Sequence, residues 1–148
     1  MLIQDFKDEF RFLSNFYPCK VVVDDIEYPS SEHAYQAQKT TDVCKRKVIA
    51  TLETPGMAKS AGRALTIRED WQDIKLSVMF GVLMAKFTQN KNLREMLLAT
   101  EDTWLVEGNT WGDEFWGKDL KKHQGENWLG RLLMLVRSIM FEMEGYDL

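Results

Sequence analysis

The stretch Glu69 to about Thr88 constrains the fold most, because Trp71, Ile74, Val78, Leu83 and Phe87 recur in it near helical spacing. That spacing predicts a long helix with an apolar face, and such a face needs a core to lie against. The chain can build one: 148 residues of which 45% are hydrophobic suit one domain with a sizeable interior, and we expect that domain to span 1–148. Gly81 lies inside the stretch, where glycine costs about 1 kcal/mol against alanine, so a close helix contact is expected there.

The texture before and after this stretch sets the class. Lys20–Val23 is a β-branched run, and Ile26–Tyr28 reads as its hairpin partner across Asp24-Asp25, with Pro18 and Pro29 as breakers on either side. The first thirty residues as a whole read as short strands and turns. Beyond Pro29 the pattern turns helical. Ser30-Ser31-Glu32-His33 is a helix start with a serine cap, and the helix should run to about Lys39. Asp42–Thr51, Thr54–Ala64 and Lys91–Ala99 predict further helices, with Pro55 opening the second. Thr103–Val106 reads as a short strand, and Trp128 to about Glu144 as a closing amphipathic helix. The expected class is α+β and mostly helical, with a small hairpin or sheet.

Charge and cysteine content narrow the function. The formal net charge of −4 predicts no strong non-specific nucleic-acid binding, although a local cationic pocket for one phosphate needs only a few residues. Cys19 and Cys44 have neither metal spacing nor a CxxC pattern, and no segment has the apolar length of a membrane span. The N-terminal residues have no apolar signal core, so the expected location is the cytoplasm. Glycine-rich phosphate loops and a nucleophilic serine elbow are absent, and two histidines ninety residues apart disfavour zinc.

Three constellations remain that can carry chemistry. In the first, Glu32, Tyr35, Gln36 and Lys39 stand at i, i+3, i+4 and i+7, so a helix places them on one face. Glu32 falls in the first turn, where the helix dipole favours its ionised form. On periodicity alone a solvated helix face, with a first-turn glutamate and an ordinary lysine, is the simpler account of the same pattern. His33 points away from Glu32 and reads as a satisfied buried histidine. The second constellation is the loop Gly108–Asn127, too long for a plain connector, with Trp111-Gly112-Asp113-Glu114-Phe115-Trp116-Gly117-Lys118 inside it. Its indoles either offer flat walls for a heterocycle or pin the loop to the core. In the third, Asn127 either binds phosphate together with the helix end it precedes or serves only as that helix's cap. Lys59, Arg63 and Arg68 form a weaker cationic set.

Together these segments resemble the NADAR family of YbiA-like N-glycosidases. The matching pieces run from Leu13-Ser14-Asn15-Phe16 through Ser31-Glu32-His33-Ala34-Tyr35-Gln36 and Lys39, then Met57-Ala58-Lys59 with Gly62-Arg63. They continue through Lys86-Phe87, Asp113 with Trp116-Gly117, and Gly125, Asn127 and Leu129-Gly130. The resemblance implies a metal-free, cofactor-free hydrolase of N-glycosidic bonds. Its substrates would be phosphorylated ribosylamines of early riboflavin biosynthesis, or ADP-ribosylated guanine. Catalytic roles fall on Glu32, Asp113, Trp116 and Lys39, and ligand contacts on Asn15, Phe16, Tyr35, Gln36, Arg63, Gly117 and Asn127. Lys118-Asp119-Leu120-Lys121-Lys122 departs from the family's second Asp-Gly-rich stretch, which leaves Asp119 without an assigned role. A monomer is expected. A non-catalytic ADP-ribose- or NAD-binding module and a purely structural protein are the rival classes.

Overall fold

The computed structural model describes residues 1–145. Its elements run β1 (Leu2–Ile3), a 3-10 helix (Asp8–Leu13), β2 (Pro18–Val23), β3 (Ile26–Ser30), α1 (Ser31–Ala37), α2 (Val43–Ala50) and α3 (Pro55–Ala64). They continue α4 (Trp71–Gln89), α5 (Lys91–Leu98), β4 (Trp104–Leu105), β5 (Gly108–Asn109), β6 (Lys118–Asp119) and α6 (Trp128–Glu144). The class is α+β with 52% helix, as the sequence predicts. The chain divides into two compact units, one of residues Asn15–Asn90 and one of Met1–Ser14 with the chain from Lys91 onward.

In the Asn15–Asn90 unit, β2 and β3 form the expected antiparallel hairpin, with Val23 opposite Ile26. Asp24 and Asp25 both take positive φ, 49° and 63°, the geometry that matches a two-residue turn to the twist of its strands. Pro18 and Pro29 do not bracket this hairpin as breakers. Pro18 opens β2 and Pro29 lies within β3, opposite a register shift between Pro18 and Val21 that removes the need for its N–H. The next three helices each start on a side-chain cap: Ser30 accepts from His33 N, Asp42 from Cys44 N and Lys45 N, and Thr54 from Met57 N. The hairpin and helices close on Val21, Tyr28, Ala34, Ala37, Ile49, Ala58 and Val82. The short helix α1 touches β2, β3, α2, α3 and α4, so all seven of its residues are buried.

Gly81 does not serve a close helix contact. A Cβ there would meet nothing within 4 Å, so the glycine faces open space on α4.

In the other unit, β1 pairs in parallel with β4, and β5 with β6. Helix α6 packs on α5 and β4 through Leu129, Leu132, Leu133, Val136 and Met140, the buried stripe of an amphipathic helix. The opening segment holds one element the sequence did not predict, the 3-10 helix, which buries Phe12 and Leu13. No helix among the described residues is long and apolar enough to cross a membrane.

Candidate active site

Helix α1 carries the first group of residues. Its start is fixed from outside: Glu32 N donates to Asn15 O at 3.0 Å, and Ser31 Oγ donates to Asn15 Oδ1 at 2.8 Å. Asn15 Nδ2 reaches Met79 Sδ at 3.5 Å, so this asparagine, 7% exposed, spends its side chain holding the helix end. Phe16 beside it is 43% exposed. His33 is satisfied at both ring nitrogens, by Ser30 Oγ at 2.6 Å and Leu52 O at 2.9 Å, and burial lowers its pKa. It sits in the interior, as expected.

Glu32 is 7% exposed, which excludes the solvated-face reading. It also makes burial, and not the helix dipole, the largest influence on this group. Burial raises the carboxyl pKa, and the Gln36 hydrogen bond and the charges of Lys59 and Lys39 offset that only in part. The dipole of a seven-residue helix is too weak to offset the desolvation of a buried carboxylate. Gln36 Nε2 donates to Glu32 Oε1 at 2.8 Å, while Gln36 Oε1 is buried without a hydrogen-bond partner.

Helix α1 ends at Ala37 rather than near Lys39. The N–H groups of Gln38, Lys39 and Thr40 bond back to Tyr35, Gln36 and Ala37, a tightened last turn. Lys39 therefore leaves the i+7 position, yet it stays within the field of Glu32. Its Nζ lies 5.9 Å from the Tyr35 ring centroid and 6.0 Å from that of Trp71, and these two rings tilt against each other at 5.3 Å. Burial lowers the Lys39 pKa, Glu32 raises it, and the positive charges of Arg63 and Lys59 lower it further. The cationic set is therefore Lys39, Lys59 and exposed Arg63. Arg68 is diverted from it by a two-pronged pair with Asp70 at 2.6 and 3.0 Å.

The second group lies on the loop of the other unit. Asp113 Oδ1 accepts from the N–H groups of Phe115 and Trp116 at 3.1 and 3.0 Å, and Asn109 brackets the Asp113 backbone from both sides. Trp116 is half-buried, edge-on to Phe115 at 4.8 Å. Gly117 lies against Glu107 O, where a Cβ would overlap the carbonyl. Trp111, 69% exposed, does not pin the loop to the core; it lines a cleft of about 120 Å³ with Phe6 and Asn109. Asp119 accepts from Lys121 N and Lys122 N and so shapes a turn.

Asn127 does not cap α6. It sits in the left-handed region at φ 54°, and its amide is used elsewhere: Nδ2 donates to Leu105 O and Oδ1 accepts from Glu107 N, both at 2.9 Å. Binding its own helix end would forfeit both backbone partners, one buried and one partly buried.

A family model for the NADAR domain matches residues 3–140. The chain belongs to the NADAR domain family. It is 43% identical over 139 residues to riboflavin biosynthesis protein VVA0006 of Vibrio vulnificus, covering 93% of this chain but 37% of that protein. It is 40% identical over 132 residues to N-glycosidase YbiA of Escherichia coli, covering 88% of this chain and 81% of YbiA. The NMR structure of E. coli YbiA superposes with a TM-score of 0.83 at 34% identity, covering 97% of this chain and 89% of that one.

Within this NADAR chain, the Asn15–Asn90 unit brings together Asn15, Glu32, Tyr35, Gln36, Lys39 and Arg63, and the other unit holds Asp113, Trp116, Gly117 and Asn127. Two further residues touch this group: Trp71 lies against Tyr35 and Lys39, and Gly62 against Gln36. The sequence marks Trp71 only as an apolar position of α4 and Gly62 only as part of the family pattern. The signal for Gly62 was its spacing, since Lys59, Gly62 and Arg63 stand at i, i+3 and i+4 on α3. Lys86, inside α4, is fully buried, and burial brings its pKa down to about 8.

Proposed function

We propose that the chain is an N-glycosidase that hydrolyses the bond between ribose and a base or amine nitrogen in a phosphorylated nucleotide-like substrate. The observation that carries this reading is a buried carboxylate, Glu32, held beside the cations Lys39 and Lys59. The names of the relatives support the reaction class, and riboflavin-pathway ribosylamine phosphates are the substrates we favour.

In the reaction, water adds to the anomeric carbon, the C–N bond breaks, and one proton of the water ends on the departing nitrogen. Positive charge develops on the sugar as the bond breaks. A fixed carboxylate stabilises it and orients the water. The raised pKa of Glu32 brings it closer to neutrality, where a group best exchanges a proton with water. Lys59 and Arg63 hold the substrate phosphate, and Tyr35 and Trp71 keep Lys39 in place by contact with its ammonium. The roles of Asp113 as second carboxylate and Trp116 as a stacking wall rest on the family resemblance. On this reading the chain acts as a single-domain cytoplasmic monomer without a metal, so turnover survives exhaustive chelation.

Mass spectrometry on a panel of ribosylamine phosphates and ADP-ribosylated guanine nucleosides tests the proposal. Release of free base or amine with ribose phosphate is the expected result. Release from the ADP-ribosylated compounds alone would move the substrate assignment, and binding without product would leave a ligand-binding module.

A further inference from the structure

We propose that Gln36 is the positioning residue for Glu32: its amide fixes one carboxylate oxygen, and Gly62 of α3 holds that amide in place. The inference rests on the reading of Glu32 as the catalytic carboxylate, but its geometry is independent of any substrate. Gln36 Nε2 donates to Glu32 Oε1 at 2.8 Å between two side chains that are 4% and 7% exposed. The amide has no freedom to turn away on the α3 side. A Cβ on Gly62 would overlap Gln36 Oε1 and crowd Gln36 Cδ, so the side chain is pressed onto the bare face of the glycine. Gln36 Oε1 is buried without a conventional partner, so this contact is kept at the expense of one acceptor. A donor aimed at a buried carboxylate stabilises its ionised form. In Glu32, that donor is the largest influence opposing burial. Gln36 thus sets both the direction of the carboxylate and its readiness to release a proton.

The test follows the Glu32 side-chain carboxyl by carbon-13 NMR through a pH titration, the signal being assigned by its loss in Glu32→Gln. In the unaltered protein the Gln36 Nε2 proton signals move with the same midpoint as the Glu32 carboxyl. In Gln36→Met the donor is lost, and in Gly62→Ala the added methyl displaces the flexible amide while Gln36 itself is retained. Both variants raise the Glu32 midpoint by about one pH unit, a tenfold change in proton affinity, on the scale of one hydrogen bond to a charged group. The acidic limb of kcat/KM moves up by the same amount. Gln36 signals that do not titrate with Glu32, or an unchanged or lowered midpoint in either folded variant, overturn the proposal. If no substrate is turned over, the glycosidase reading fails while the NMR midpoints still decide the positioning role.

Discussion

Replacing Glu32 by Gln separates what this carboxylate does for the reaction from what it costs the fold. The substitution keeps the side-chain length and leaves a carbonyl oxygen where Gln36 Nε2 now donates at 2.8 Å, so the local geometry survives. It removes the charge. Losing one electrostatic stabiliser of a cationic transition state lowers turnover by about 100-fold or more. Stability moves the other way. The folded-state pKa of Glu32 lies above that of an ordinary carboxyl, so the native state binds this proton more tightly than the unfolded chain does. The protein therefore loses stability as pH rises from the ordinary carboxylate range through the raised native value, at about 1.4 kcal/mol per unit of displacement. A neutral glutamine escapes that loss. Thermal melts of both proteins from pH 4 to pH 8 should nearly coincide at the acid end and separate toward pH 8, with Glu32→Gln melting higher. A variant that melts lower than wild type at pH 8, or keeps near wild-type turnover, would refute the argument. In the first case the carboxylate is net stabilised in the fold, and in the second its charge is not what the transition state uses.

Gly81→Ala should raise stability by about 1 kcal/mol in denaturant unfolding, because the added methyl meets nothing and α4 gains helix propensity; an unchanged or lowered midpoint would show that the glycine serves the helix in another way. Asn127→Ala should cost about 2–4 kcal/mol, since it orphans Leu105 O and Glu107 N and puts a β-carbon without a polar head at φ 54°; a loss under 1 kcal/mol in the same assay contradicts that role. For Lys39, burial and the charges of Arg63 and Lys59 lower the pKa while Glu32 raises it, and its ammonium lies over the Tyr35 and Trp71 rings. Borohydride added during turnover should trap no sugar adduct on Lys39 by peptide mass mapping, and Lys39→Arg should keep appreciable activity, as a charge-only role requires. A stable adduct on Lys39, absent in Lys39→Arg, would show an imine with the ring-opened sugar and overturn the charge-only role.

The elements were legible because local physics and tertiary packing agree on them. Every long helix begins within a few residues of where its cap or apolar spacing places it, and the hairpin turns on the two aspartates the sequence marks. What the sequence misjudged lies where a tertiary demand overrode a local preference. Asn127 has the chemistry of a helix cap, but two backbone groups on either side of Val106, Leu105 O and Glu107 N, claim its amide first. Glu32 has the position of a dipole-stabilised carboxylate, but five elements packed around α1 exclude water from it and raise its pKa. Periodicity could not foresee that, because it says which residues share a face and not whether that face is wet. The same limit hid Gly62, whose role depends on a side chain twenty-six positions away, and the complete burial of Lys86, which the sequence marks only within the Lys86-Phe87 piece of the family pattern. The catalytic reading of α1 thus follows from burial. A Glu-Gln-Lys face in water is unremarkable, whereas the same face without water must be either costly or useful, and the raised proton affinity of Glu32 is where that cost becomes measurable.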